Sequence, residues 1–274
     1  MKKACFLIVA VLSALSASSF FVACKASAES EFRFYENGAA YTSGEFFCEG
    51  EQVKRIEIDW IGGNVEIEQS PSGKVCIFED ESDLPEDKRL HTYLNEGVLR
   101  VKYCRSGCRG KIDERQKNLQ VDIPKGVDVE INGVRANMYL GVVETGVLCI
   151  DTDTGCVEGE SIACDRVKIE TDSGYIGVGA LTAERAEFDT VSGNVHIVLP
   201  VCKNTEIETD SGDVTVYLQG DVNAFIAFFS KTGSLVTQRE YESKPNGYFF
   251  NFGGGQDASY ILSVKTVSGD LRVE

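Results

Sequence analysis

A glycine returns every 19 residues, at Gly155, Gly174, Gly193 and Gly212, each time within Ser/Thr-Gly-x-hydrophobic. A fixed period of this length marks a repeat architecture, in which a unit cannot bury its apolar face alone and must stack on its neighbours. In register the units read LCIDTDTGCVEG, VKIETDSGYIGV, AEFDTVSGNVHI and TEIETDSGDVTV. One step back lands on Ala136 in VEINGVRANMYL, a degenerate first coil. Forward, Gly233 follows after 21 residues, and Gly269 repeats the motif near the end. Residues 129–236 therefore read as about six coils, with 261–274 closing the run.

Within a unit the apolar pattern alternates with period 2, as in a strand. Val167, Ile169 and Thr171 share one face, and Lys168, Glu170 and Asp172 the other. Two short strands per unit join at the glycine turn, where a positive φ is expected because glycine has no Cβ. Nineteen residues is too short for a propeller blade or a βαβ unit. The reading is all-β: a parallel β-solenoid of about 19-residue coils, its equivalent strands stacked about 4.8 Å apart. A sandwich of antiparallel hairpins shares the period-2 pattern, but the strict register favours the solenoid.

The rest of the chain supplies ends. Residues 54–128 hold ordinary strands and read as an N-terminal β cap over an edge that would otherwise template aggregation. Within them Gly62-Gly63-Asn64-Val65 resembles a divergent repeat turn. Residues 129–274 form the solenoid domain, interrupted by an insertion at 237–260 where Asn246-Gly247 signals a hairpin. Residues 29–53 read as an extended linker. Lys2-Lys3 and the apolar stretch Ala4–Val22 make 1–28 an export signal. Three routes stay open: lipidation at Cys24 after Phe21-Val22-Ala23, cleavage after Ala26-Ser27-Ala28, or retention as an uncleaved membrane anchor. The expected location is the cell envelope, or release from it.

The formal charge of −16 opposes nucleic acid and anionic lipid as partners. Eight cysteines lie beyond Cys24: Cys48, Cys76, Cys104, Cys108, Cys149, Cys156, Cys164 and Cys202. An even count in an exported chain points to disulfides. Yet Cys164 and Cys202 share one repeat position two coils apart, about 9.6 Å and beyond bridging reach. Cys104–Cys108 is the plausible local pair, so one or two bridges at most are expected.

Stacking also makes ladders. Asp151, Glu170, Asp189 and Glu208 form an outward carboxylate row in which a hard cation such as Ca²⁺ could bridge neighbours. The alternative is a solvated acidic face relieved by Arg166, Lys168 and Arg185. Thr152, Thr171, Thr190 and Thr209 face inward and are expected to be structural. No nucleophile–base pattern, phosphate loop or histidine site is present, so no catalytic residue and no cofactor is assigned. Tyr248, Phe249, Phe250 and Phe252 in the insertion either cap the stack or form a binding tip.

The repeat units, LQVDIPKGVDVEI before them and SYILSVKTVSGDLRVE at the end resemble the bacterial β-strand-repeat putative-adhesin family, over about residues 54–274. The resemblance implies a β-solenoid-like fold and an envelope role, and it carries no catalytic residues. The expected function is a non-catalytic surface binding or structural module facing an unknown protein or glycan partner. The alternatives are an accessory or sensor component of an envelope-stress system and, third, a glycan-active enzyme.

Overall fold

The computed structural model describes residues 32–80, 83–108, 117–199, 201–219, 223–244, 247–250 and 260–274. The expectations for Cys24, the export signal and Phe252 lie outside them. The chain is a parallel β-solenoid, as the 19-residue register predicts. Strand Val157–Thr171 pairs in parallel with Asp128–Glu144 and Val147–Thr152 on one side, and with Ile176–Val178 and Leu181–Thr190 on the other. Every one of these registers steps by 19 residues, as in Ile150, Ile169, Phe188 and Ile207.

Each central coil has three faces. The first holds strands such as Val147–Thr152, and the second holds Ile176–Val178, Val195–Leu199 and Val214–Leu218. On the third, Val143 pairs with Ile162 and Ile162 with Leu181. The inward columns are apolar and closed to solvent, for example Ile58, Ile131, Ile150, Ile169, Phe188, Ile207 and Val264. Burial of about 1.5–3 kcal/mol per large side chain accumulates only through stacking, because each coil supplies a wall for the next.

The turn glycines are explained by contact rather than by φ. The positive-φ glycines include Gly63 but none of Gly155, Gly174, Gly193, Gly212 or Gly269. Instead, a methyl group on Gly174 would stand 1.8 Å from the carbonyl oxygen of Gly155, and Gly193 and Gly212 repeat that approach on the coil below. The inward threonines complete the turn. Thr171, Thr190 and Thr209 accept the amide N–H of the glycine three residues on, at 2.9, 2.8 and 2.9 Å.

The ends depart from chain order. Residues 260–274 do not close the run; they are inserted into it. Tyr260–Thr266 pairs with Val201–Thr209 on one side and with Ala224–Ser230 on the other. Leu271–Val273 likewise lies between Val214–Leu218 and Leu235–Thr237. Gly269 sits on Gly212, and Gly233 sits on Gly269. The 21-residue step to Gly233 thus separates coils that are not neighbours, while Gly212 and Gly269 lie three periods apart in sequence. The insertion does form a hairpin, with Glu242–Lys244 antiparallel to Gly247–Phe250, which pairs in turn with Ala224–Ser230.

The N-terminal end repeats this device. Arg55–Gln69 is itself a coil. It lies beneath Asp128–Glu144 and above the later strands Val98–Lys102 and Leu119–Ile123. Antiparallel strands then finish the edge: His91–Asn95 on Val98–Lys102, Lys74–Glu79 on Leu119–Ile123, and Thr42–Ser43 and Phe46–Glu49 outside them. Lys117 is turned inward to pin this cap. Its ammonium donates to Glu79 Oε2 and to the Lys88 carbonyl, each at 2.8 Å, and also to the Tyr103 carbonyl. It lies over the rings of Tyr103 and Trp60, 4.2 and 4.9 Å from their centroids. Burial pushes it below the usual lysine range, against the pull of Glu79.

Candidate functional site

The four predicted carboxylates do stand in one row, paired in register as Asp151, Glu170, Asp189 and Glu208. The row is longer than those four. Its polar run begins at Lys102, continues through Asp59 and Asn132, and ends on Lys265, beyond which the exposed Phe229 takes the next position. Lys102 is paired with Asp59, whose Oδ1 also accepts from Asn132 Nδ2 at 3.0 Å. Lys265 binds Glu208, and Glu206 of the adjoining row at 2.8 Å. Lys168 reaches Glu170 at 2.8 Å, whereas Arg185 serves Glu187 of the adjoining row at 2.5 Å. Asp189, mid-row, is held above the usual carboxylate range by desolvation, then by Glu170 and Glu208. Among the described residues no three His, Cys, Asp or Glu side chains converge as a metal site. The row is an acidic stripe closed by a cation at each end. The motif puts Lys265, four residues before Gly269, in this column but not at its place in the stack, and Lys102 lies in the cap, where the sequence offers no 19-residue register.

The insertion aromatics divide. Phe250 is fully buried and Tyr248 partly so, both packed against the core. Tyr241 packs on both, 5.3 Å from Tyr248 and 5.7 Å from Phe250. Phe250 is therefore part of the end cap and is not exposed as a contact residue; Tyr248 is largely covered with it. Phe249 contributes backbone pairing opposite Phe225.

All eight described cysteines are thiols. Cys104 and Cys108 do meet, hydrogen-bonded to each other, and burial pushes Cys104 up to about 12. Cys164 and Cys202 are separated by the coil of Ala183, as the register requires.

Sequence reasoning passed over a polar ladder one residue after the glycine. The Asn64 amide donates to Asn118 Oδ1 at 3.0 Å, that of Cys156 to Asn137 at 3.1 Å, and that of Asp213 to Asn194 at 2.9 Å. Asp270 on Asp213 and Ser234 on Asp270 continue it at 2.9 and 2.8 Å. The signal was present in the Gly-Asn and Gly-Asp pairs. Cys156 and Tyr175 occupy ladder positions without a side-chain carbonyl or carboxylate to offer.

Beside that gap the second face is hollowed. A concavity of about 450 Å³ is lined by Glu68, Tyr139, Glu158, Glu160, Tyr175 and His196, with Gly141, Gly177 and Gly179 at its floor. A second of about 300 Å³ continues from Tyr175 and His196 towards Tyr217, Arg272 and Glu274.

Stacked coils with ends folded back on themselves define an all-β repeat protein built to present faces. Residues 53–274 match the Toastrack DUF4097 family, and the chain belongs to that family. Similar solved structures include a putative adhesin from Bacteroides fragilis (14% identity, covering 84% of this chain and 96% of that one, TM-score 0.49). Others are a putative cell adhesion protein from Clostridium sporogenes (11%, 85% and 98%, TM-score 0.33) and a putative lipid binding protein from Parabacteroides distasonis (16%, 84% and 97%, TM-score 0.40). No curated protein matches the chain.

Proposed function

We propose that the protein is an exported, non-catalytic binding module held at the cell envelope. One observation carries this reading. The chain enters the fold at the cap end, where Thr42–Ser43 and Phe46–Glu49 pair with His91–Asn95 and Lys74–Glu79. An anchor upstream, at Cys24 or in the apolar segment itself, would hold that end to the membrane and leave the three long faces to solvent. The acidic stripe keeps those faces off an anionic bilayer. Cell fractionation with mass spectrometry of the native N-terminus tests the reading. A diacylated Cys24 or a retained membrane segment supports an exported, anchored chain, a start at Glu29 means release and overturns the anchoring, and loss of surface attachment on gene deletion supports binding. Recovery of the intact chain from the cytoplasm, or unchanged attachment after deletion, overturns it.

A further inference from the structure

The hollow on the second face is built, rather than left over. Position Gly177 faces outward in its strand, where the coils on either side carry Glu158 and His196. Gly177 is nonetheless buried, because the Tyr175 ring lies across it; a methyl group there would stand 2.5 Å from a ring carbon. Gly141 plays the same part for Glu68, whose carboxylate would be 2.2 Å from a methyl group at that glycine. Tyr175 has this position at the expense of the polar ladder, which it cannot continue. A local rule of the fold is given up there, as proteins do at sites with another task.

The result is a line of rings along the stack. Tyr139 and Tyr175 are 36% and 37% exposed, and His196 and Tyr217 pair at 4.9 Å. From the coil of Tyr139 to that of Tyr217 the line spans about 19 Å. Carboxylates flank it: Glu68 beyond Tyr139, Glu158 and Glu160 on the coil between Tyr139 and Tyr175, and Glu274 at the other end, bonded to the Tyr217 hydroxyl and beside Arg272.

Resting on the reading of the chain as a binding module, we propose that this groove binds a linear oligosaccharide whose sugars are neutral or carry free amines. Aromatic rings offer apolar faces to the C–H faces of pyranoses, and the carboxylates accept from hydroxyl or ammonium groups. An acidic polymer is repelled by the same carboxylates. An extended peptide is disfavoured, because strand addition needs a free sheet edge and this face has its backbone already paired along the stack. The combined volume suits a ligand of several rings.

The test is calorimetric titration of the purified full chain with four probes: cellohexaose, a glucosamine hexamer, an alginate hexamer and oligolysine. Binding of cellohexaose or the glucosamine hexamer, with none of alginate, is expected. Tyr175→Ala and Gly177→Val, which removes or displaces the ring, should each weaken binding about tenfold or more, close to 1.4 kcal/mol. Tyr175→Phe should retain it, Tyr241→Ala at the hairpin should leave binding unchanged even as it loosens the end cap, and every variant should remain folded by circular dichroism at the titration temperature. The inference is overturned if the folded parent binds neither sugar, if Gly177→Val binds as the parent does, or if oligolysine binds in place of sugar. Attachment that persists in a Tyr175→Ala strain removes the groove while leaving the binding-module reading intact. Failure of that reading shows separately, as attachment unchanged by gene deletion.

Discussion

At the scale of single residues the fold is decided by how closely coils approach at the turn. A carbonyl oxygen stands where the Cβ of the next glycine would be, and it is backbone, so no side chain can move aside. Gly193→Ala should therefore cost about 3 kcal/mol or more in urea unfolding, far beyond an ordinary helix or loop glycine. The threonine beneath is a second fixed requirement. Thr190→Val keeps the shape but leaves the buried Gly193 N–H without its acceptor, an expected loss of about 1–3 kcal/mol. Thr190→Ser keeps the hydroxyl and should lose only about 1 kcal/mol. The cap depends on a third such contact. Lys117→Met strands Glu79 in the interior and should cost about 3–5 kcal/mol, while the double variant Lys117→Met/Glu79→Leu recovers much of that. A double-mutant cycle by urea unfolding checks this; an additive pair of losses would show that the ion pair is not the source.

Between residues and the whole lie the rows that stacking creates. The sequence register predicted the carboxylate row correctly because a parallel stack turns a period in sequence into a column in space. The lysines at its ends come from coils that chain order misplaced. The row is therefore less repulsive than four carboxylates alone, and its cost concentrates at Asp189, which has Glu170 and Glu208 on its two sides and neither end lysine on an adjacent coil. In the folded state Asp189 takes up its proton at higher pH than in the unfolded chain. Its ionised form thus opposes folding near neutrality, and the opposition fades as pH falls through its folded pKa. Asp189→Asn should raise stability at pH 7 by a few tenths of a kcal/mol, in the range of exposed cross-strand charge pairs. That gain should disappear near pH 3, below the usual carboxylate value of about 3.9. Melting temperatures of both proteins at the two pH values decide it, and a gain that persists at pH 3 would trace to packing instead.

For the whole molecule, the order of stacking differs from the order of synthesis at both ends. The central coils were legible because each contacts the next in sequence, and local alternation fixes their inward faces. The ends were not. Whether Gly233 or Gly269 lies on Gly212 depends on a pairing across the 237–260 excursion, which no local pattern encodes. The role of Lys117 was not legible for the same reason, since Glu79 and Trp60 reach it only through the folded cap. One trace was visible in the arithmetic of the ruler: Gly269 falls on the 19-residue grid and Gly233 does not. The inserted order makes opposite forecasts for two truncations. Removing 260–274 takes away Leu262, Val264, Leu271 and Val273 from the core and leaves 224–237 without its parallel neighbour. Hydrogen exchange should then rise across both 204–218 and 224–237 while 128–199 stays protected. Replacing 219–259 with three residues puts Gly212 and Gly269 back on a 19-residue spacing. That shortened chain should fold with 204–218 and 260–274 protected, and should self-associate through the edge that 224–237 and its hairpin no longer cover. Had the coils stacked in chain order, the first deletion would fray only a terminus and the second would open the stack at its centre.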